Sequence, residues 1–145
     1  GFNFRMTNLQ ASIGFSQLQN ANEILKERKA IESLYKHYLS KNKYVIFGEN
    51  EKVALSVNWI FTLIIKKKIS YLIKFLDKFG VESRPIFYPF NKTKIFQRYL
   101  HKGNSFNNSE NFFNYGISLP TFNGMKKKEI KYICQLINRY CDEGK

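Results

Sequence analysis

The chain has 145 residues, of which 43% are hydrophobic and 17% aromatic, and its formal net charge at pH 7 is +13. These values predict one folded domain and exclude a disordered chain, and no apolar run approaches the ~20 residues that a transmembrane helix requires. The charge comes mainly from lysine, and the lysine runs at 66–68 and 126–128 fall where solvated loops carry charge. We therefore expect neither nucleic acid nor membrane as a partner, and a cytoplasmic location.

The first segment, residues 1–14, is rich in glycine, asparagine and arginine and has no initiator methionine. Such a segment is typical of the edge of a binding site, so we expect further protein upstream. Thr7 and Gln10 have the spacing of a capping box, and apolar residues then recur near the helical period of 3.6. The pattern predicts one long helix over 7–40, kinked near Asn20, of the kind that packs between two domains.

Strands and a further helix are predicted next. Segments 44–47 and 57–65 are apolar and bounded by polar residues, and the nearly continuous run of the second indicates a central strand. Helical spacing over 69–79 ends at Gly80, which can adopt the left-handed conformation of a helix C-terminus. A third strand is expected around 81–84.

Two prolines hold the segment after that strand in an extended conformation. Pro85 and Pro89 bracket an apolar and aromatic stretch that they prevent from becoming helical. The polar stretch 101–108 then predicts a loop, 109–116 a short helix and 117–120 a brief strand.

The last predicted helix has one apolar stripe, which consists of Ile130, Ile133, Cys134, Ile137 and Tyr140. Its two cysteines, Cys134 and Cys141, lie too far apart along the helix axis for a disulfide and have no metal-ligating partners, so we expect reduced thiols. The order of elements predicts an α/β fold: a small two-layer sandwich with a mainly antiparallel sheet and a long N-terminal helix.

Two segments place polar side chains where a core would have apolar ones. Asn3 and Arg5 stand at the head of the predicted long helix, where free N–H groups and the helix dipole favour an anion such as phosphate, although plain capping would also explain them. Arg84 and Tyr88 lie on the proline-held segment, where a guanidinium suits a diphosphate or carboxylate, or the segment is a turn packed on the sheet. No catalytic constellation or metal-ligand set is complete, so we predict none.

Five segments, in this order, resemble the C-terminal part of the DegT/DnrJ/EryC1/StrS family, the pyridoxal-phosphate (PLP)-dependent nucleotide-sugar aminotransferases. The resemblance extends over nearly the whole chain. Among subfamilies, residues 4–8 and 84–89 are most similar to perosamine synthetases, which aminate a GDP-linked 4-keto-6-deoxy sugar. The five segments are 1–14 with Gln17 and Leu18, 57–59, 84–89, 116–120 and 130–137.

The resemblance implies a homodimeric enzyme of the aspartate-aminotransferase fold type, in which residues 1–145 form the C-terminal small domain. The large domain, with the lysine that forms the Schiff base with PLP, would lie outside this chain, so the chain alone is expected to be inactive. The implied reaction passes an amino group from an amino acid such as glutamate to a nucleotide-linked keto-deoxy sugar for surface polysaccharide biosynthesis.

The resemblance also implies roles for single residues. Asn3 matches an asparagine that reaches across the dimer to the cofactor phosphate of the other subunit, with Arg5 beside it. Arg84 and Tyr88 would bind the diphosphate or the sugar. Asn91 stands where many members have histidine, so it is a substrate-binding candidate that can donate a hydrogen bond but cannot hold a proton.

Two alternatives stay open. A homologue of this family can be a PLP- or pyridoxamine-dependent sugar dehydratase or a regulator without catalysis, and only the residue at the Schiff-base position separates these. A basic nucleic-acid-binding module would account for the charge of +13 and would show salt-sensitive binding to DNA.

Overall fold

A computed structural model describes residues 2–48, 56–101 and 103–143. Residue 1 of the glycine- and asparagine-rich segment and residue 102 of the predicted polar loop lie outside these ranges. The order of helices and strands agrees with the prediction, except that the structure adds a 3-10 turn and α4. The elements are α1 (Asn8–Gln19), α2 (Ala21–Leu39), β1 (Val45–Phe47), β2 (Phe61–Ile65), α3 (Ile69–Lys78), β3 (Arg84–Pro85), the 3-10 turn (Phe90–Lys92), α4 (Lys94–Gln97), α5 (Asn107–Tyr115), β4 (Gly116–Leu119) and α6 (Lys127–Glu143).

The predicted long helix is two helices that meet at Asn20, where the kink was expected. The Thr7 side chain accepts a hydrogen bond from the Gln10 N–H at 3.3 Å, and the Thr7 N–H donates to Gln10 Oε1 at 2.9 Å, which confirms the capping box. Asn20 has φ −100° and ψ 5°, outside helical values, so the helical path breaks there. The two helices differ in burial: α1 has no buried residue, and α2 buries Ile31, Tyr35 and Leu39.

The strands form one antiparallel sheet in the order β1-β2-β4-β3, and β2 is central as predicted. β2 begins at Phe61 and not at residue 57, because Asn58 has φ 47° in the left-handed region, which a strand does not contain. The prediction of a strand over 57–65 was therefore too long at its start.

β3 lies later than predicted. The Val81 N–H donates to Leu76 O at 3.0 Å, and Gly80 has φ 73°, so residues 80 and 81 end α3 and do not start a strand. Pro85 belongs to β3, where we expected it to end the strand. Proline is tolerated there because β3 is at the edge of the sheet, where one side needs no ladder donor.

Helices cover one face of the sheet. Side chains alternate along a strand, so Phe61, Leu63 and Ile65 of β2 share a face with Ile117 and Leu119 of β4, and all five are buried. The predicted two-layer α/β sandwich is confirmed. The helical part of the core consists of Ile31, Tyr35, Leu39, Ile69, Leu72, Leu76, Ile130, Ile133, Cys134, Leu136, Ile137 and Cys141.

The Tyr35 hydroxyl in this core has a hydrogen-bond partner, and the two core cysteines are uncharged thiols. The Tyr35 ring stacks on Phe61 with centroids 4.7 Å apart, and its O–H donates to Pro120 O at 2.8 Å. Both cysteines are free and buried, and burial raises the pKa of Cys134 to about 12. They are free thiols, as predicted, and they belong to the core.

Within the described ranges, none of the helices combines the length and the apolar character that crossing a bilayer demands.

Candidate functional site

The sheet face opposite the helices carries a polar row. The register pairs Arg84 of β3 with Ser118 of β4, and Ser118 with Thr62 of β2. Directly paired residues project to the same face. The residues on either side of Thr62 in β2 and of Ser118 in β4 are buried in the core, so Thr62 and Ser118 face away from it. The row therefore runs from Arg84 to the Ser118 hydroxyl on the neighbouring strand and to the Thr62 hydroxyl one strand further, on the face opposite the core helices.

A cleft of about 480 Å³ adjoins this row. Arg84 and Ser118 contribute its polar side, and Ile60 and Phe122 contribute apolar surface. A ligand with a charged part and a flat or apolar part fits such a lining.

Arg84 is bound by a neighbour that a ligand can displace. Its Nη2 lies 2.6 Å and its Nε 3.0 Å from Glu82 Oε1. The two side chains are 77% and 76% exposed, so solvent screens the pair, which contributes at most about 1 kcal/mol. A diphosphate offers the guanidinium more charge and two acceptor oxygens, so it can replace Glu82.

Aromatic contacts hold the segment that follows β3. The rings of Phe87 and Trp59 stack with centroids 6.4 Å apart and an angle of 23° between them. Tyr88 lies edge-on against Phe113 of α5 at 5.1 Å and stays 55% exposed. Tyr88 can therefore contact a ligand while its ring is fixed in position.

Asn91 lies in the 3-10 turn and binds a carboxylate. Its Nδ2 donates to Glu110 Oε1 at 3.0 Å, and Lys92 Nζ lies 2.9 Å from Glu110 Oε2. These contacts tie the end of the predicted substrate segment to α5. Glu110 was not expected from the sequence, because it lies 19 positions after Asn91 and only the fold brings the two side chains into contact.

A second set of contacts fixes the start of β2 and the end of β4. Arg28 of α2 donates from Nη1 to Trp59 O at 3.2 Å and also to Thr121 O, and from Nε to Asn123 Oδ1 at 2.9 Å. Arg28 thus joins two loops that border the open face. The sequence contained no signal for it, since an arginine on a helix surface is ordinary.

Asn3 and Arg5 interact with each other. Asn3 Oδ1 accepts from the Arg5 N–H at 3.1 Å and from Arg5 Nε at 3.3 Å, and both residues are exposed. Because Thr7 caps α1, helix capping does not explain Asn3 or Arg5. In the described residues, no hydrogen bond joins this pair to Arg84, Tyr88 or Asn91, so the two predicted groups of site residues form separate clusters.

The N-terminal segment and α1 also expose an apolar surface. These side chains are 59% to 89% exposed, far more than a folded domain leaves open when it is alone. We call them the N-terminal apolar surface: Phe2, Phe4, Met6, Leu9, Ile13, Phe15 and Leu18.

Solved structures share the fold. S. venezuelae DesV superposes with a TM-score of 0.91 at 16% identity, covering 100% of this chain and 39% of that one. Helicobacter pylori PseC, an aminotransferase involved in the biosynthesis of pseudoaminic acid, superposes with a TM-score of 0.85 at 20% identity, covering 98% of this chain and 39% of that one.

Sequence comparison identifies the family. The GDP-perosamine synthase of Vibrio cholerae is 30% identical over an alignment of 143 positions, which covers 96% of this chain and 38% of that protein. The GDP-perosamine synthase of Caulobacter vibrioides is 32% identical over an alignment of 147 positions, and this alignment also covers 96% of this chain and 38% of that protein. The chain thus spans well under half the length of these relatives. The profile of the DegT/DnrJ/EryC1/StrS aminotransferase family matches residues 1–138, and the chain belongs to that family.

Proposed function

We propose that this chain is the C-terminal small domain of a PLP-dependent aminotransferase that transfers an amino group to a nucleotide-linked keto-deoxy sugar. The observation that carries the proposal is the polar row of Arg84, Ser118 and Thr62 on the open sheet face of a chain of this family. The relatives named GDP-perosamine synthase favour a GDP-linked sugar. Each of these relatives extends beyond the region that this chain matches, so we propose that the full-length protein supplies the rest of the site.

Asn3 and Arg5 fit the phosphate of PLP. Arg5 donates its backbone N–H and its Nε–H to Asn3 Oδ1. The side-chain amide nitrogen of Asn3 and the remaining guanidinium N–H groups are then left as donors at an exposed helix N-terminus. Donors and positive charge at a helix N-terminus suit a phosphate. When bound, PLP supplies the electron sink for amino-group transfer. In our proposal Asn3 and Arg5 only hold its phosphate, and they do so in the site of the second subunit. The absence of hydrogen bonds, among the described residues, between this pair and the cluster of Arg84, Tyr88 and Asn91 supports this assignment.

Arg84, Tyr88 and Asn91 are proposed to bind the nucleotide sugar. Arg84 exchanges Glu82 for the diphosphate, and the hydroxyl groups of Ser118 and Thr62 lie in the same row as further hydrogen-bonding groups. Tyr88 and Asn91 follow on the segment that α5 holds, where they would contact the sugar. These residues bind and orient, and the reacting atoms are handled elsewhere in the full-length protein.

The N-terminal apolar surface is proposed to pack against the large domain and a second copy. We also expect the chain by itself to lack aminotransferase activity, because the lysine that forms the Schiff base with PLP would lie in the large domain. The amine donor, the absence of nucleic acid as a partner and the cytoplasmic location stay predictions.

The test uses the full-length protein with PLP, glutamate and a GDP-linked 4-keto-6-deoxy sugar. We expect 2-oxoglutarate and a GDP-linked amino sugar, identified by mass spectrometry, and a sharp loss of nucleotide-sugar binding in Arg84→Ala. Loss of water from the sugar without incorporation of nitrogen would instead assign the protein to the dehydratases of the family.

A further inference from the structure

The Glu110 carboxylate bridges two consecutive residues of the 3-10 turn. Oε1 accepts from Asn91 Nδ2 at 3.0 Å, and Oε2 pairs with Lys92 Nζ at 2.9 Å, so each oxygen has its own donor. Hydrogen bonds from Lys92 and Asn91 lower the pKa of Glu110 below its ordinary value, and the carboxylate is ionised at neutral pH. Glu110 and Asn91 are both half-buried, so this contact is protected from solvent more than the Arg84 pair is.

This carboxylate determines which way the Asn91 amide faces. An ionised carboxylate accepts hydrogen bonds only, so it binds the NH2 end of the amide and repels the carbonyl end. Turning the amide over would place two acceptors in contact at about 3 Å, which is unfavourable. The Asn91 Oδ1 is therefore directed away from Glu110 and is available as an acceptor.

α5 holds the same segment at a second point. Phe113, three positions after Glu110 and so on the same side of the helix, packs edge-on against Tyr88. α5 runs directly into Gly116 of β4, whose position leaves no room for even a Cβ beside Ile86. The segment from Ile86 to Lys92 thus follows the placement of α5.

We propose that Glu110 is a positioning residue that orients the Asn91 amide so that its Oδ1 accepts a hydrogen bond from a hydroxyl group of the nucleotide-linked sugar. The inference rests on the proposed function and deepens it. It assigns a direction to the contact: Asn91 selects a sugar position that carries a hydroxyl donor, and it discriminates against a keto or deoxy group at that position. Glu110 acts through Asn91 and does not touch the substrate.

The experiment is a double-mutant cycle in the full-length enzyme with Glu110→Ala, Asn91→Ala and the double variant. Loss of one neutral hydrogen bond predicts that each single change raises KM for the nucleotide sugar about threefold to tenfold. KM for the amino-acid donor should not move, because the proposal gives Asn91 a contact with the sugar alone. The double variant should be no worse than Asn91→Ala alone. Independent factors that multiply in the double variant would overturn the proposal.

Two further variants separate amide orientation from general stability. Lys92→Ala removes the ion pair alone and should leave KM for the nucleotide sugar within about twofold of wild type. Glu110→Gln replaces the acceptor-only carboxylate by an amide that can also donate, so it no longer fixes the direction of the Asn91 amide and should raise that KM. A rise in KM with Lys92→Ala equal to that with Glu110→Ala would show that the ion pair is what matters, against the proposal. Thermal unfolding of each variant identifies changes that act through folding.

The outcomes distinguish this inference from the proposed function. A wild-type enzyme that forms no amino sugar refutes the proposed function itself. An active wild-type enzyme whose KM for the nucleotide sugar is unchanged in Glu110→Ala refutes only the role of Glu110.

Discussion

Arg84 donates to Glu82 from two nitrogens at once, Nε at 3.0 Å and Nη2 at 2.6 Å, so Glu82 occupies the guanidinium edge that an anionic ligand would use. The pair is highly exposed and therefore weak. Glu82 would act as a competitor that a more highly charged ligand displaces.

This competition predicts opposite effects of two changes in the full-length enzyme. Arg84→Ala should raise KM for the nucleotide sugar about tenfold to a hundredfold, because a charge-assisted contact is lost. Glu82→Gln should lower that KM by about twofold to fivefold, because the competitor is weakened. Steady-state kinetics measures both, and a Glu82→Gln enzyme with raised KM would contradict a competing role.

Asn3 is predicted to hold the cofactor phosphate of the other subunit. Asn3→Ala in the full-length protein should weaken PLP binding by about 1 to 3 kcal/mol, the range of a hydrogen bond to a charged group. Absorbance titration with PLP measures this change. Asn22→Ala, an exposed asparagine on α2, is the matched control. Equal affinities in the wild type and Asn3→Ala would refute the role.

Gly116 and Gly14 allow a comparison of the same substitution at a crowded and at an open position. A Cβ at Gly116 would lie 2.4 Å from Ile86 Cδ1 and from Phe112 O, whereas nothing lies within 4 Å of a Cβ at Gly14. In this chain made alone, Gly116→Ala should lower stability by about 1 to 3 kcal/mol through overpacking, and Gly14→Ala, inside α1, should be neutral or stabilising. Thermal denaturation of both variants decides. A tolerated Gly116→Ala would mean that the Ile86 side chain and the end of α5 move apart easily.

Cys134 gives the fold a dependence on alkaline pH. Burial raises the pKa of its thiol from 9.0 to about 12, so above pH 9 the unfolded state loses the proton first. Between pH 9 and 12 the unfolded state then binds fewer protons than the folded one, and this group's contribution to stability falls by up to about 1.4 kcal/mol per pH unit. Below pH 9 the contribution is fully present. Melting temperatures should fall less steeply over this window in Cys134→Ala, and parallel curves would argue against the burial effect.

The N-terminal apolar surface predicts self-association of this chain when it is made alone. Light scattering should give a mass above the 17.2 kDa of one chain, and no aminotransferase activity should be measurable. Replacing Ile13 and Leu18 by aspartate should shift the population towards monomers. Gln17→Ala on the same helix is the control. A wild-type chain that is monomeric at high concentration would contradict the role given to this surface.

Local patterns in the sequence determined most of the secondary structure. The capping box of Thr7 and Gln10, the left-handed Gly80 and the apolar periods of α3 and α6 all lie within one or two turns of chain, where backbone sterics and neighbouring side chains decide the conformation. Family membership followed from the same short segments, because they occur in a particular order. Local patterns could not show that Arg84 lies on the edge strand of the sheet, next to β4.

Tertiary structure decided the remaining features. The left-handed Asn58 shortens β2, and its side chain bonds to Glu32 of α2, 26 positions away. Glu110 meets Asn91 across 19 positions, and Ser118 joins Arg84 to Thr62 only through strand register. Contacts of this kind depend on how the helices and the sheet pack together, and packing energy is shared by many residues that no local pattern relates. The sequence by itself therefore determined the elements and the candidate binding residues, while the partners that orient those residues were decided by the fold.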